Sequence, residues 1–359
     1  MAAFADLLAA HRPLLALAPM QDITNLPFWR VMRHYGGADL YYTEYARVHR
    51  DSKPERHILR DIDENPTGRP VIAQMIGEDI PSLVRTAQAL QRHPLFGIDL
   101  NLGCPAPIVC RKSAGGGLLR HLDRIDAILR ALRPVIHVQF TVKTRIGYDA
   151  PAEFDRLLEI FAAHAIDAFT VHGRTVRELY RTRVHLDRIR QAVERLHAPV
   201  LANGNVLSPA LARETLAATG AAGLMIGRGA IRNPWLFQQI RDDAAGRPVF
   251  QPSLRDLRAY IAHLYAAIRL PHLNEATNVA RIKKYLNFIG QGIGPEEAFL
   301  HGVRRAATEQ ELFGLCDRHL DSDAPFPAEP PVRALLCARS EASVTLDPIR
   351  AAARCGGFR

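Results

Sequence analysis

The chain is short of several things, and each shortage narrows its class. Its five cysteines, Cys104, Cys110, Cys316, Cys337 and Cys355, are scattered, with no CxxC pair and no zinc-ligand spacing. That argues against a disulfide framework or a structural metal and points to a reducing, cytoplasmic setting. No uninterrupted apolar run approaches the ~20 residues of a membrane-spanning helix, so no membrane partner is expected. The opening MAAFADLLAAHRP is too short and mixed for a secretory signal and lacks a basic start. No GxGxxG follows a strand-like run, which excludes a Rossmann dinucleotide site. The GQGIG of Gly290–Gly294 lies in a helical region and reads as a helix terminus. Acidic residues are the scarcer charge, 37 Asp+Glu against 46 Lys+Arg, for a formal net charge of +9. Such a balance suits a polyanionic partner such as nucleic acid. An arginine-rich composition alone gives the same number.

What is present is an alternation. Eight short apolar runs, Leu14–Pro19, Asp39–Glu44, Pro70–Ile76, Ile98–Leu102, His137–Lys143, Ala168–His172, Pro199–Asn203 and Ala222–Gly227, are separated by amphipathic stretches such as Pro81–Gln91, Leu122–Leu132, Ala152–His164 and Pro209–Ala218. Runs without polar alternation suit strands buried on both faces of a parallel sheet. Eight such units in about 230 residues predict an α/β fold, a (β/α)8 TIM barrel, with an open doubly wound sheet as the competing architecture. From about Pro252 the rhythm turns helical, with helices expected over Leu254–Leu270, Glu275–Gly290 and Glu296–Arg305. The expected organisation is a catalytic barrel over 1–245, an all-helical domain over 246–320 and a Pro-rich tail over 321–359.

In such barrels, chemistry collects at the C-terminal ends of the strands. Every expected strand but the second ends there in something polar or turn-forming: Pro19-Met20-Gln21, Gln74, Asn101 to Pro105, Lys143-Thr144-Arg145, His172-Gly173-Arg174, Asn203-Gly204-Asn205 and Gly227-Arg228-Gly229. Loops after the seventh and eighth strands commonly cradle phosphate. Asn203, Gly204, Asn205, Gly227 and Arg228 supply small residues and one guanidinium for that purpose; tight βα turns would use the same glycines. With Gln74 for a pyrimidine edge and Lys143 for negative charge on a reduced ring, the set suits flavin mononucleotide (FMN). Cys104, between Gly103 and Pro105, has an ordinary thiol pKa of about 8.5 and stays protonated at neutral pH, as a general acid requires. A Cys104–His172 nucleophile pair is the alternative chemistry. Cys110, Cys316 and Cys337 read as small buried hydrophobes.

These motifs together resemble the tRNA-dihydrouridine synthases. The matching elements are APM at Ala18–Met20, Ala73-Gln74, NLGCPAPIV at Asn101–Val109, AGGGLL at Ala114–Leu119, VKTRIG at Val142–Gly147, VHGRT at Val171–Thr175, NGN at Asn203–Asn205 and IGRGAIRNPWLF at Ile226–Phe237. Gln21-Asp22-Ile23-Thr24 departs from the small residues usual after APM. The resemblance implies an FMN enzyme, reduced by NADPH, that saturates the C5–C6 bond of a uridine extruded from tRNA, with Cys104 giving the proton to C5. Extrusion costs a few kcal/mol. It further implies flavin contacts from Pro19, Met20, Gln21, Gln74, Lys143 and His172, a phosphate site at Gly227 and Arg228, and target-base contacts from Asn101 and Arg145. Arg281, Lys283 and Lys284 are the expected tRNA-binding cluster of the helical domain. The stretch 172–190, with six arginines against Glu178 and Asp187, is a second candidate path for tRNA. A monomer is expected. Another FMN barrel oxidoreductase, acting on a small-molecule enone or dihydropyrimidine, accounts for the flavin residues but leaves the basic balance and the helical appendage unused.

Overall fold

The computed structural model describes residues 3–331. Eight parallel strands form where the apolar runs lie: β1 (Leu14–Leu17), β2 (Leu40–Tyr42), β3 (Val71–Ile76), β4 (Gly97–Leu102), β5 (Gln139–Arg145), β6 (Ala168–His172), β7 (Val200–Asn203) and β8 (Gly223–Ile226). β1 pairs with both β2 and β8, and β2 pairs with β3, so the sheet closes on itself. That closure excludes the open doubly wound sheet. The second stave is broken: after β2 the chain leaves the sheet and rejoins β3 for two residues, Ala46–Arg47.

Side chains alternate between barrel lumen and helical shell along each strand. On β4, Ile98, Leu100 and Leu102 pack outward into the main core, whereas Asp99 and Asn101 face inward. The lower lumen is filled by Leu14, Ala16, Leu40, Tyr42, Ile72, Leu201 and Met225, closed beneath by Phe4 and Leu7 of a short helix, Phe4–Ala10. A packed floor leaves only the upper rim open to chemistry.

Four helices follow the barrel: Leu254–Ile268, Glu275–Ile289, Ala298–Arg305 and Glu309–Leu320. The fourth was not among the three expected; its signal is the capping box in which Thr308 and Glu311 satisfy each other's backbone N–H groups. The bundle is fused to the barrel. Tyr285 donates from its hydroxyl to the Ile23 carbonyl (2.8 Å) and Tyr260 to that of Ile231 (2.9 Å), while Phe28 stacks on Tyr285. Bundle and barrel residues share one continuous hydrophobic core.

The start of the expected tail is packed. Phe326 is buried, and Pro325 pairs with Ser253. The fully buried Arg232 donates to the carbonyls of Ile289, Gln291 and Pro327 and lies over the Phe326 ring. The rest of that tail, 332–359 with Cys337 and Cys355, lies outside the described residues.

Candidate active site at the barrel rim

The upper lumen is lined by the residue two beyond each buried polar or apolar plug: Gln74 above Ile72, Asn101 above Asp99, Lys143 above Thr141, His172 above Thr170 and Asn203 above Leu201. Strand register sets them side by side, Asn101 opposite Lys143 and His172 opposite Asn203.

Around this ring the cations are crowded. Lys143 donates to Asn203 Oδ1 (3.3 Å), and burial with the Arg145 charge lowers its pKa to about 8. Arg228 donates to Asn205 Oδ1 (2.7 Å), and burial lowers its pKa, as does the Arg145 charge. Arg174 falls to about 10 through burial and repulsion from Arg228 and Arg145. His172 is pushed well below its ordinary value by burial and by Arg145, Lys143, Arg174 and Arg228, so it is neutral at pH 7. Its Nε2 lies 3.3 Å from Arg174 Nη1. A guanidinium only donates, so Nε2 accepts and the proton sits on Nδ1. The carboxylates acting on these cations are Asp99, on Lys143, and Glu178, on Arg145 and Arg174. The ring thus carries positive charge in excess of its own anions, an arrangement that an anionic ligand relieves.

The loops after β7 and β8 are shaped for close approach. Gly204 has φ +136°, a conformation side chains rarely adopt, and a Cβ there would press on Val184. A Cβ on Gly227 would sit 3.0 Å from Met20 Sδ. Pro19 and Met20 are partly exposed at the head of the first βα turn, which Thr24 holds by accepting from the Met20 N–H (2.6 Å). Gln21 donates its side-chain amide to Glu44 Oε2 (2.9 Å). An anionic, phosphate-bearing ring system fits these features by charge, by the small residues of the cradle and by the His172 Nδ1–H donor.

Cys104 is half-buried, and burial raises its thiol pKa, which keeps it protonated at neutral pH. The Tyr45 hydroxyl lies beside it, close enough for the two groups to act on each other's protonation. Burial and four cations oppose protonation of His172, and its Nε2 already accepts from Arg174, so it is a poor proton acceptor for a Cys104–His172 nucleophile pair. Asn101 and Arg145 sit beneath the surface as supports. Asn101 accepts from the N–H groups of Gly103 and Cys104 (2.9 Å each). Arg145, 1% exposed, donates to the carbonyls of Gly103, Thr175 and Leu179. A base or phosphate contact from Arg145 would require exchanging those bonds.

Three residues went unnoticed in the sequence. Glu44 is buried at the end of the second stave, where burial raises its carboxyl to about 7 while it accepts from Ile23 N–H and Gln21. Tyr45 follows it. The second stave therefore does end in polar groups, contrary to expectation; the break after Tyr42 turns them inward. Tyr180 lies between the Arg145 and Arg228 guanidinia, with ring distances of 5.3 and 4.7 Å. Arg281, Lys283 and Lys284 do not converge. Arg281 donates to the Ile268 carbonyl, Lys283 to that of Arg304, and Lys284 pairs with Asp22 at 3.4 Å. In the stretch 172–190, Arg174 is buried, Arg177 pairs with Asp149, and Arg188 lies against Asp155; Arg181 and Arg183 are exposed.

No helix among the described residues is long and apolar enough to cross a membrane, and no group of three or more His, Cys, Asp or Glu among them could hold a metal ion.

A closed parallel barrel with a cation-rich rim and a shielded thiol defines a class, the (β/α)8 enzymes that act around an anionic ligand. The family described as dihydrouridine synthase (Dus) matches residues 16–316, and the chain belongs to that family of flavin-dependent, tRNA-modifying oxidoreductases. It is 33% identical over 312 residues to a tRNA-dihydrouridine(16) synthase of Cupriavidus necator, covering 83% of this chain and 94% of that one. With a tRNA-dihydrouridine synthase B of Pasteurella multocida the identity is 32% over 290 residues, 79% and 85% of the two chains. Among solved structures, a 2-naphthoyl-CoA reductase complex superposes with a TM-score of 0.52 at 12% identity. That match covers 84% of this chain and 66% of the other, and it speaks to the fold alone.

Proposed function

We propose that the enzyme uses FMN, reduced by NADPH, to convert uridine 16 of tRNA to 5,6-dihydrouridine, with Cys104 as the proton donor, and that it works as a monomer. The observation that carries the cofactor reading is the excess of positive charge at the rim, where the buried Arg145 repels Lys143, Arg174 and Arg228. Lys143, His172, Gln74 and the first βα turn would hold the ring, and Asn203, Gly204, Asn205, Gly227 and Arg228 the phosphate. When bound, the flavin supplies a hydride to C6 of the uracil. Cys104 then delivers its proton to C5, so that one hydride and one proton saturate the double bond and leave a thiolate. Arg145 lies close enough to act on the Cys104 charge and stabilises that thiolate until solvent reprotonates it. The exposed Arg181 and Arg183, which follow Tyr180 in the chain, supply phosphate contacts for the tRNA.

Position 16 is favoured because the Cupriavidus necator relative bearing that number aligns over 94% of its length, helical bundle included, and the bundle sets how tRNA lies over the rim. The test is nucleotide-resolved mapping of dihydrouridine in tRNA from a deletion strain, with and without the gene restored. Loss confined to position 16 is expected. Loss at another position overturns the positional assignment, and no loss overturns the substrate.

A further inference from the structure

Beneath the rim runs a chain of buried side chains, of which the proposed mechanism uses only Gln74. Thr141 Oγ1 donates to Asp99 Oδ1 (2.6 Å), and Gln74 Nε2 donates to Asp99 Oδ2 (2.7 Å). Asn101 Nδ2 donates to Gln74 Oε1 (2.8 Å), and Asn101 Oδ1 accepts from the backbone of Gly103 and Cys104. Asp99, Gln74 and Thr141 are all fully buried.

The polarity of this chain is fixed at both ends. A carboxylate can only accept, so Gln74 must turn its NH2 toward Asp99 and its oxygen toward Asn101. Two backbone N–H groups can only donate, so Asn101 must turn its oxygen to the Cys104 loop and its NH2 to Gln74. Reversing Gln74 creates two contacts between like groups, and reversing Asn101 creates three. Protonation of Asp99, whose carboxyl burial raises to about 7, does not break the pattern. The proton faces Thr141, whose hydroxyl can rotate to accept. An ionisable group in a barrel floor is costly where an aliphatic side chain would pack, as Ile72 and Leu201 do in the same lumen.

We propose that Asp99 is a positioning residue that, through Gln74 and Asn101, orients the amide facing the flavin and the backbone that carries Cys104. One buried carboxylate thereby ties the two halves of the reaction, hydride and proton delivery, to a common reference. The flavin half of this inference rests on the proposed cofactor site, whereas the Cys104 half stands on the apoprotein.

The test is a relay reversal. In Asn101→Asp, the new carboxylate faces the Gln74 oxygen; Gln74 must flip and then sets its oxygen against Asp99, which can answer it only by taking up a proton, so all variants are compared at pH 9, where Asp99 of the parent is ionised. Alkylation of Cys104 by iodoacetamide in the apoprotein, followed on its peptide by mass spectrometry, should change about tenfold, and the thermal midpoint should fall. Asp99→Asn keeps every contact, accepting from Gln74 and donating to Thr141, and should stay within about threefold of the parent in alkylation rate. The double variant restores a consistent chain running in the opposite sense. Thr141 donates to the new amide at position 99, and that amide donates to Gln74. Gln74 in turn donates to the new carboxylate at position 101, which still accepts from the Cys104 loop. The alkylation rate and thermal midpoint of the double variant should return to near the parent's, although it contains the damaging change. Its FMN affinity, read by flavin fluorescence quenching, should stay reduced about tenfold, because Gln74 now shows the flavin its reversed face. Additive effects of the two substitutions on the alkylation rate overturn the proposal. If Asn101→Asp alone does not fold, recovery of folding in the double variant supports the relay and continued misfolding overturns it. Restored alkylation with FMN affinity unchanged in all variants keeps the Cys104 half and removes the cofactor reading instead.

Discussion

The barrel rim and the helix Glu275–Ile289 are both rich in cations, and they hold them in opposite conditions. At the rim, Lys143, Arg174 and Arg228 all feel the charge of the buried Arg145, and each has its pKa lowered by burial and by that neighbouring positive charge. On the helix, every cation is answered. Arg281 donates to the Ile268 carbonyl at the end of the preceding helix, and Lys283 to the Arg304 carbonyl near the end of the next helix. Both act as C-terminal caps, the position where a helix end favours positive charge. Lys284 binds Asp22 across the barrel–bundle boundary. A count of basic residues treats these places alike. The rim cations also meet neutral oxygens, those of Asn203, Asn205 and the Thr182 carbonyl; what separates a ligand site from a structural cluster here is the unrelieved like charge of Arg145 beside them.

The sharpest way to test the rim's side of that contrast is at its thiol. Cys104→Ala should lower dihydrouridine formation by ~10²–10⁴-fold, the usual worth of a general acid, with NADPH-driven flavin reduction unchanged. Cys110→Ala should be near neutral by the same assay; Cys110 is buried and donates its thiol to the Cys104 carbonyl at 3.5 Å. Wild-type tRNA modification by the first variant removes Cys104 from the role of acid.

Next in size is the charge itself. Lys143→Ala with Arg228→Ala should give a folded, colourless protein, and stoichiometric FMN retained on purification would move the cofactor away from the rim. The pH dependence carries the same information in the parent. Lys143 has a pKa lowered to about 8, so above that pH it loses the charge that an anionic ring requires. FMN affinity should therefore fall by up to about tenfold per pH unit above 8. Apoprotein stability should respond in the opposite sense. Between pH 8 and the ordinary lysine value the unfolded chain binds more protons at this site than the folded one, so this residue's contribution rises with pH. An FMN affinity flat from pH 7 to 10 would show that Lys143 does not face the ligand.

The fold was legible because its signal is local and repeated: eight unbroken apolar runs, each with room for a helix, admit few closed arrangements. The rim residues were legible where a polar side chain ends a run, as with Lys143 and His172, or stands inside an otherwise apolar one, as with Gln74. Glu44 and Tyr45 escaped because the second stave breaks after Tyr42 and turns its polar residues inward, which no periodicity reports. Asp99 sits mid-strand between Ile98 and Leu100, where a sequence pattern shows only an interrupted run; its role exists only through Gln74 and Thr141 on neighbouring strands. The spacing of Arg281, Lys283 and Lys284 showed a basic helix but not the carbonyls that two of them cap. The bonds that hold Arg145 were not legible because the carbonyls that accept from it, those of Gly103, Thr175 and Leu179, lie on loops distant in sequence.

The smallest expected effect bears on the bundle's side of the comparison. Phosphate contacts dominate nucleic-acid affinity and register as the slope of log K against log salt, at somewhat under one unit per contact. Arg181 and Arg183 are exposed on the loop whose Tyr180 lies against Arg228, so charge reversal there acts beside the proposed site. Arg181→Glu with Arg183→Glu should weaken tRNA binding and flatten the slope by about two units. Arg281→Glu with Lys284→Glu removes a helix cap and a solvent-exposed ion pair, each worth at most about 1 kcal/mol of stability. That pair should lower the thermal midpoint slightly and leave the salt slope where it was. The two double variants carry the same change in net charge, so a general electrostatic effect would move both slopes equally. A flattened slope for the bundle variant alone would mean that those cations exchange their carbonyl and carboxylate partners for phosphates when tRNA arrives, and that the compensation seen in the free protein is a resting state.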